Sequence, residues 1–377
     1  MKKLGYLLFA LFFNISRIFS VNSRKVVLYN GQYKGLSGNL LEIKNEIEAR
    51  RNDVKICYFE KNVMFSRNKE NRLKGFFLFF ILCPFHMATA EQVFLNDNFL
   101  PLKYCFPSKK AQFIQLWHGA GAFKRFGLST ERDRKVKGRV EKANRRITHL
   151  FVTSKQVIPY YEWAFAIPRR KIYATGVPVT DIYFDEDRIA AGKRNFYKEY
   201  PNLEGRKFVL ITPTIRQSEK ENAEILSHFP FERMFKILGD RWIFLIKMHP
   251  KMQNIKMPVN EYCINVTNYQ QITDLFFVSE FLITDYSSTV VEYALLNKPI
   301  LLYAYDLIRY DRGFYRDYRE YPAGQIVETE EELLAAIRHP EDDAAKRQEF
   351  LKLHYDFFDD RSCERVLRVL EETRKNI

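Results

Sequence analysis

The chain has few cysteines, and none of them stands in a metal-binding or disulfide-forming pattern. Its 377 residues include Cys57, Cys83, Cys105, Cys263 and Cys363, with no C-x-x-C pair among them. The seven histidines likewise form no H-x-x-x-H set. This scarcity argues against a disulfide framework and a zinc site, and it favours reduced thiols in a cytosolic compartment. We therefore expect no protein-bound metal.

Long apolar runs are also missing. Two short ones, LGYLLFALFF (4–13) and GFFLFFILCPF (75–85), fall short of the roughly 20 residues with which a helix crosses a bilayer. The first follows MKK like the start of a signal peptide, but no convincing cleavage site comes after it. We expect residues 1–20 to form an interfacial anchor or a buried first helix. The second run is expected to pack against a sheet or to touch a membrane without crossing it.

Acidic residues are too few to balance the basic ones. Lys and Arg number 60 against 46 Asp and Glu, which gives a formal net charge of +14. Such a charge predicts anionic partners, among them nucleic acids, acidic lipid headgroups and polyphosphates. The run at 132–146 carries eight basic and two acidic side chains. It is typical of a solvated helix face, and it also suits a lipid diphosphate or a growing polyanion.

The sequence does contain a regular alternation of strand-like and helix-like segments. Short apolar runs with the composition of buried strands occur at 25–30, 54–59, 92–96, 112–117, 149–153, 208–212, 242–248, 262–266, 281–284 and 300–303. The alternation predicts an α/β fold with two doubly wound parallel sheets. Gly176 and Pro178 interrupt it. We therefore place an N-terminal segment at 1–23, a first domain at 24–175 and a second domain at 176–377.

Polar and charged side chains end or follow four of these predicted strands. They are His118, Lys124 and Arg125; Thr212, Thr214 and Arg216; Lys247 and His249; and Asp285, Ser287, Ser288 and Glu292. Each group alone also fits a turn, a helix cap or a packed histidine. In open α/β sheets, however, ligands bind outside the carboxyl ends of the strands. Cations and hydroxyls there suit a diphosphate, and an imidazole suits proton abstraction at neutral pH.

The order of these motifs resembles that of a known enzyme family. WHG followed by a lysine, TPT-x-R, K-x-HP and TDYSS-x-x-x-E occur in the chain, with TGVPVTDIYFD (175–185) between the first two. The set resembles the CDP-glycerol glycerophosphotransferases of teichoic acid synthesis. The resemblance implies the B-type glycosyltransferase architecture, in which two Rossmann-like domains face each other across a cleft. It also implies that a last helix, at about 344–374, returns to the first domain.

The resemblance further implies a reaction and its residues. A polyol phosphate passes from a CDP-activated donor to a hydroxyl of a lipid-linked diphosphate acceptor, and CMP leaves. His118 would take the acceptor proton, with Arg216 and His249 as the other catalytic groups. The donor would be held by Thr212, Thr214, Lys247, Asp285, Ser287, Ser288 and Glu292, and an anionic acceptor by Lys124 and Arg125. No cofactor is implied, because the CDP-polyol is a co-substrate.

One motif differs from the glycerol-phosphate pattern. Many glycerol-phosphate members resemble WHG-T-P-x-K, whereas this chain reads WHGAGAFKRFG. That form is similar to the branch that handles ribitol phosphate or longer polymers. CDP-glycerol and CDP-ribitol therefore both stay open as donors.

The same resemblance predicts where the protein works. A cytosolic donor and a lipid-linked acceptor imply peripheral attachment to the cytoplasmic face of the bacterial membrane, through residues 4–13 and basic groups on anionic lipid. A nucleotide-sugar glycosyltransferase of the same architecture is an alternative, since fold alone does not fix function. A nucleic-acid-binding protein is disfavoured, because no recognisable binding module is present.

Overall fold

Two compact units make up the chain. A computed structural model describes residues 2–32, 35–65, 69–252, 255–258 and 260–375. The first unit comprises Met1–Asp181 together with Tyr355–Ile377, and the second comprises Ile182–His354. The division therefore falls shortly after the boundary that we placed between residues 175 and 176.

Each unit is built on a parallel sheet. In the described part of the chain the strands are β1 (Asn22–Asn30), β2 (Lys55–Glu60), β3 (Ala90–Leu95), β4 (Gln112–Gln115), β5 (His149–Val152), β6 (Ile172–Ala174), β7 (Lys207–Thr212), β8 (Trp242–Ile246), β9 (Cys263–Asn265), β10 (Ser279–Thr284), β11 (Ile300–Tyr303) and β12 (Gln325–Val327). The first sheet has the order β2-β1-β3-β4-β5-β6, and the second has the order β12-β11-β10-β7-β8-β9. The predicted α/β fold with two doubly wound parallel sheets is confirmed. The sequence missed only β6 and β12, which are three residues long each.

Helices connect the strands in both units. The α-helices of the described residues are α1 (Lys2–Ser16), α2 (Gly38–Arg50), α3 (Lys61–Met64), α4 (Lys69–Phe77), α5 (Cys83–Thr89), α6 (Arg134–Asn144), α7 (Ile158–Phe165), α8 (Glu186–Glu199), α9 (Glu219–Glu224), α10 (Phe231–Leu238), α11 (Ile272–Val278), α12 (Thr289–Tyr293), α13 (Glu330–Arg338), α14 (Ala344–His354) and α15 (Ser362–Lys375). A π-helical segment, Leu78–Leu82, joins α4 to α5.

Each sheet has a topological switch point, which is the place between two neighbouring strands where the strand order reverses. We call this point the switch of the sheet. In the first sheet the switch lies between β1 and β3, and in the second it lies between β7 and β10. Connections leave such neighbouring strands toward opposite faces, which opens a crevice outside their carboxyl ends. Residues that follow these strands are therefore the first candidates for ligand binding.

The prediction of one last helix at about 344–374 is wrong, because the structure has two helices there. The chain forms α14 in the second unit and α15 in the first. The break is fixed by Asp181, whose carboxylate accepts hydrogen bonds from the backbone N–H groups of Ser362 and Cys363 at 2.9 Å each. These bonds satisfy two of the N–H groups that the first turn of a helix leaves open. α15 then packs on the first sheet through Cys363, Val366, Leu367 and Leu370.

The second apolar run belongs to a longer helix than expected. The helical run from Lys69 to Thr89 continues through the π-helical segment. Its part Arg72–Thr89 is long and apolar enough to cross a membrane by composition, and it is the one such helix among the described residues. The estimate of 75–85 as too short to span is therefore wrong. Buried core helices pass the same test, and 39% of this stretch is buried inside the protein.

Candidate active site

His118 follows β4 after a sharp change in backbone direction. The predicted strand 112–117 ends at Gln115, because Trp117 adopts the left-handed conformation with a φ of 56°. A bulky residue rarely adopts this conformation, which costs about 1–3 kcal/mol and occurs often at functional sites. The Trp117 backbone is held by Asn39, whose amide donates to the carbonyls of Leu116 at 3.0 Å and Trp117 at 3.3 Å. These hydrogen bonds fix the backbone just before His118. The imidazole of His118 is half-buried.

The hydrogen bond of His118 determines its neutral tautomer. Its Nδ1 lies 3.0 Å from the backbone carbonyl oxygen of Asn96. A carbonyl oxygen only accepts, so Nδ1 carries the proton and Nε2 holds the lone pair. His118 is therefore oriented as a proton acceptor through Nε2. The Trp117 ring lies beside the imidazole, with 3.9 Å between ring centroids.

Neutral amides surround the switch of the first sheet. Asn96 donates to the side-chain oxygen of Asn30 at 3.0 Å and accepts from the backbone N–H of Gly31 at 2.8 Å. Gln115 donates to the carbonyl of Asp97 at 3.1 Å and accepts from the N–H of Trp117 at 2.9 Å. Asn30, Asn96 and Gln115 are each at most 3% exposed. This buried network holds the loop of His118 through hydrogen bonds between neutral groups.

Lys124 and Arg125 lie on the loop that follows His118. Lys124 is half-buried and Arg125 is exposed. The Arg125 guanidinium lies over the ring of Trp163, 5.5 Å from its centroid. Arg125 is thus accessible to an anion from solvent, and it keeps a favourable cation–π contact.

The second unit presents a different set of groups at its switch. β7 and β10 run side by side with Thr212 opposite Thr284. The Thr212 hydroxyl donates to the Thr284 hydroxyl at 3.0 Å and lies 3.1 Å from that of Thr289. Asp285 follows β10 and accepts from the backbone N–H of Thr214 at 2.9 Å. The hydroxyl of Thr214 is buried and has no hydrogen-bond partner among the described residues. A buried polar atom without a partner in such a crevice indicates a place for a ligand.

Arg216 is buried between two carboxylates. Its Nη2 lies 2.8 Å from Asp285, and its Nε and Nη2 donate to Asp306 at 2.8 and 3.0 Å. Nη1 donates to the Thr214 carbonyl. Burial lowers the pKa of Arg216, but the attraction of Asp285 and Asp306 outweighs it and raises the pKa above its ordinary value. Burial favours protonation of Asp306, yet hydrogen bonds from Arg216 and Tyr286 hold its pKa below the usual range.

The geometry of Arg216 therefore links three loops. A guanidinium has five N–H donors, and most of those of Arg216 are used within the protein. The sequence placed Arg216 on the donor diphosphate. The structure places it where it ties the loop after β7 to the loops after β10 and β11.

Lys247 follows β8, and among the described residues its side chain bonds to backbone carbonyls alone. Its Nζ donates to Val266, Thr267 and Tyr269 at 3.4, 3.1 and 2.7 Å. None of these partners carries a charge, so the ammonium is hydrogen-bonded but not neutralised. Burial lowers the pKa of Lys247 to about 8. An incoming phosphate would supply the missing negative charge.

His249 has the opposite tautomer to His118. The backbone N–H of Lys251 donates to Nδ1 of His249 at 3.2 Å. Nδ1 therefore holds the lone pair, and in the neutral ring Nε2 carries the proton. The side chain is exposed. His249 is thus oriented to donate a hydrogen bond through Nε2, whereas His118 is oriented to accept one.

The remaining predicted residues lie around α12. Ser287 accepts from the hydroxyl and the backbone N–H of Thr289 at 2.9 and 3.3 Å. Ser288 is exposed at the N-cap of this short helix, and its side chain forms no capping hydrogen bond. Glu292 accepts from the hydroxyl of Tyr183 at 2.9 Å. Each residue is placed on the same short segment, as the motif predicts.

Sequence reasoning missed the partners of these groups. Asn30 and Asn96 end predicted strands, so the strand-end rule could have identified them. Asp306, which follows β11, holds Arg216 across 90 positions of sequence. Nothing local in the sequence indicates that pairing. In the part of the chain that the structure describes, no group of three or more His, Cys, Asp or Glu side chains is arranged to hold a metal ion.

Comparison with known proteins bears on this arrangement. The sequence profile described as CDP-Glycerol:Poly(glycerophosphate) glycerophosphotransferase matches residues 11–372. This chain belongs to that family. The matched range includes His118 and every other residue predicted for the site. The resemblance inferred from the motifs is confirmed.

Two relatives within the glycerophosphotransferase family match nearly the whole chain. The teichoic acid poly(ribitol-phosphate) polymerase of Bacillus spizizenii is 31% identical, over 97% of this chain and 59% of that protein. The teichoic acid ribitol-phosphate polymerase TarL of Staphylococcus aureus is 33% identical, over 96% of this chain and 65% of that protein. The chain therefore spans less than two thirds of the length of either relative.

A solved structure has the same fold. A variant of the wall teichoic acid polymerase TagF matches with a TM-score of 0.81, covering 99% of this chain and 93% of that chain at 20% identity. At this identity the likeness shows the fold alone, and it does not extend to individual residues.

Proposed function

We propose that this chain transfers a polyol phosphate from a CDP-activated donor to a hydroxyl group of a lipid-linked acceptor, and releases CMP. The orientation of His118 carries the proposal. Its Nδ1 proton is engaged by the Asn96 carbonyl at 3.0 Å, so Nε2 accepts a proton beside the switch of the first sheet. Family membership and the polymerase relatives support the same reaction.

In the proposed reaction, Nε2 of His118 takes the proton of the acceptor hydroxyl. The acceptor oxygen forms a bond to the phosphorus that bears the polyol, and the bond from this phosphorus to the oxygen of CMP breaks. The proton on Nε2 is later released to solvent. Such transfer depends mainly on positioning and on stabilising the charge of the phosphoryl oxygens.

The second unit supplies groups that suit the donor diphosphate. Lys247 contributes a charge that its carbonyl partners leave unneutralised, and His249 contributes an Nε2–H donor. The buried Thr214 hydroxyl offers a further hydrogen bond. Arg216 acts through the loops that it joins, which makes it a positioning residue in this proposal.

Ribitol phosphate is the donor group that we favour. The two relatives described above are named for ribitol phosphate, whereas the family description names glycerol phosphate. The WHGAGAFKRFG motif points the same way. The lipid-linked acceptor is proposed to carry a diphosphate, toward which Lys124 and Arg125 would supply positive charge.

Peripheral attachment to the cytoplasmic face of the membrane follows from this acceptor. α1 supports it, because its apolar side chains Leu4, Leu7, Leu11 and Ile15 are 41–73% exposed. If Arg72–Thr89 crossed the bilayer instead, the protein would resist both high salt and alkaline extraction. We expect high salt to release part of the protein and alkaline extraction to release it from membranes.

The reaction is tested by offering the purified chain CDP-ribitol, CDP-glycerol and a nucleotide sugar in parallel, with a membrane extract as acceptor. We expect CMP release with CDP-ribitol and a weaker response with CDP-glycerol. Turnover of the nucleotide sugar without CMP release from either polyol donor would refute the proposal in favour of a glycosyltransferase.

A further inference from the structure

A basic cavity lies in the first unit, formed by elements that contribute nothing to the site above. It encloses about 460 Å³ between α1, the turn Leu100–Tyr104 and the start of α6. Its basic lining residues are Lys3, Lys103, Arg134, Lys135, Arg139 and Lys142. One acidic residue, Asp133, also lines it, together with Tyr6 and Gly138. The cavity is large enough for a phosphate-bearing headgroup.

The acidic residue of the cavity is already used within the protein. The Asp133 carboxylate caps α6 by accepting from the backbone N–H groups of Lys135 and Val136 at 2.7 and 3.3 Å. Within the described residues, none of the six basic side chains forms an ion pair. Cations gathered without acidic partners repel one another, and a bound anion relieves that repulsion. The cavity therefore suits a phosphate.

An exposed apolar face adjoins the cavity on α1. Phe9 and Phe13 of this helix are buried, whereas Leu4, Leu7, Leu11 and Ile15 are exposed at helical spacing. Lys3 and Tyr6 of the same helix line the cavity. Leu73, Phe76 and Phe77 of α4 are exposed as well. An apolar face beside cations is typical of a helix that lies in the membrane interface.

We propose that this cavity binds the phosphate of an anionic phospholipid headgroup while the exposed face of α1 inserts among the acyl chains. The occupant is a lipid and not a soluble polyanion, because a polyol phosphate polymer has no apolar part to cover Leu4, Leu7 and Leu11. The proposal rests on the membrane attachment proposed above. It adds a discrete binding site to what would otherwise be diffuse attraction by surface charge.

Gly138 allows the cavity to be filled without a change of charge. A Cβ added at this position meets nothing within 4 Å. Because Gly138 lines the cavity, we expect the side chain of Gly138→Leu to occupy part of it, and Gly138→Ala is the matched control. Neither substitution disfavours the helix, because glycine has a low helix propensity. Thermal unfolding of both variants checks that the fold is kept.

The probe is sedimentation with phosphatidylcholine vesicles that contain or lack phosphatidylglycerol. The full chain should bind the anionic vesicles, Gly138→Ala should bind within about twofold of it, and Gly138→Leu should bind about tenfold more weakly. Equal binding by Gly138→Leu and Gly138→Ala would overturn the discrete site. The lipid proposal would also be overturned if the protein bound soluble poly(glycerol phosphate) more strongly than vesicles through this cavity.

A pair of charge variants separates the cavity from general electrostatics. Arg139→Gln with Lys142→Gln removes two charges from the cavity, and Lys109→Gln with Lys110→Gln removes two exposed charges elsewhere in the first unit. We expect a loss of at least tenfold for the first pair and less than about threefold for the second. Equal losses would show that charge alone attracts the protein. Vesicle binding needs neither donor nor acceptor, so a chain that binds but releases no CMP would refute the reaction and not the cavity.

Discussion

The two sheets position polar groups at their switches by different means. Around His118, neutral amides of Asn30, Asn96 and Gln115 bond to one another and to backbone. Around Arg216 the polar groups are held by charged side chains, since Asp285 and Asp306 both form ion pairs with its guanidinium. A neutral network can still fix the orientation of a nearby imidazole, because the bond to the Asn96 carbonyl determines which ring nitrogen of His118 carries the proton. A charged network costs far more to disturb, because removing one partner leaves another charge buried.

The largest expected effect is on the chemistry at the neutral switch. His118→Ala should lower kcat by roughly 10²–10⁴-fold, because the acceptor hydroxyl loses its base, while donor affinity stays nearly unchanged. Single-turnover CMP release and donor binding measure the two quantities. His339→Ala is the control, since His339 is exposed at the end of α13. A parallel loss of donor affinity would move His118 from the acceptor to the diphosphate.

The charged switch should respond in stability. Arg216→Ala leaves Asp285 and Asp306 buried without a cation, and we expect the free energy of unfolding to fall by about 3–5 kcal/mol. Arg233 offers a matched control, because it also contacts two carboxylates, Glu330 and Glu331, but is exposed. Arg233→Ala should cost far less, because exposed ion pairs contribute little to stability. Denaturant unfolding of the two variants compares them, and similar losses would contradict a structural role of the Arg216 network.

Two lysines sharpen the comparison through pH. Burial lowers the pKa of both Lys247 and Lys298 to about 8, and each donates to three backbone carbonyls. Lys247 follows β8, at the carboxyl ends of the strands where we expect the donor to bind. Lys298 precedes β11, at the amino ends of the strands. As pH rises through about 8 the folded protein loses these charges, and donor affinity should fall if Lys247 holds the diphosphate. Lys247→Met should abolish this pH dependence of the donor KM, and Lys298→Met should retain it.

The same lysines predict how stability changes with pH. In the unfolded chain both keep their protons up to about 10.5, so between pH 8 and 10.5 the unfolded state binds more protons. The free energy of unfolding should therefore rise with pH in this window. Each methionine variant should show a smaller rise than the wild type. A donor KM that depends on pH in the same way in both variants would remove Lys247 from the donor site.

The smallest effect concerns two threonines of the second unit. Thr214→Val removes a buried hydroxyl without a partner among the described residues, so stability should hold or rise by about 1 kcal/mol. Thr212→Val removes a hydroxyl bonded to Thr284 and Thr289, so stability should fall by about 1–3 kcal/mol. The sequence also predicts Thr212 as a donor-binding residue, but its hydroxyl is already bonded within the protein, so we expect the donor KM to rise only in Thr214→Val. Unchanged donor KM in Thr214→Val would show that the orphaned hydroxyl binds no substrate.

Most of the fold was predictable because buried parallel strands are written as short apolar runs. β6 and β12 were missed because their three residues do not stand within a longer apolar run, whereas the equally short β9 lies within the run 262–266. The split between α14 and α15 depends on Asp181, which is far away in sequence. The strand-end rule located His118, Lys247 and His249. It could not reveal the tautomers of the histidines or the pairing of Arg216 with Asp306, because these depend on which backbone and side-chain groups meet after folding.

The return of α15 to the first sheet affects the order in which the protein can fold. Val366 and Leu370 share a buried apolar cluster with Val26 and Leu28, which lie in β1. During synthesis α15 emerges only after the whole second unit, so Val26 and Leu28 cannot be buried against it before then. The second unit is continuous from Ile182 to His354 and can complete its own core earlier. The unit that the ribosome makes first is thus the one that is completed last, and its exposed sheet is the surface most open to chaperones and aggregation in the interval.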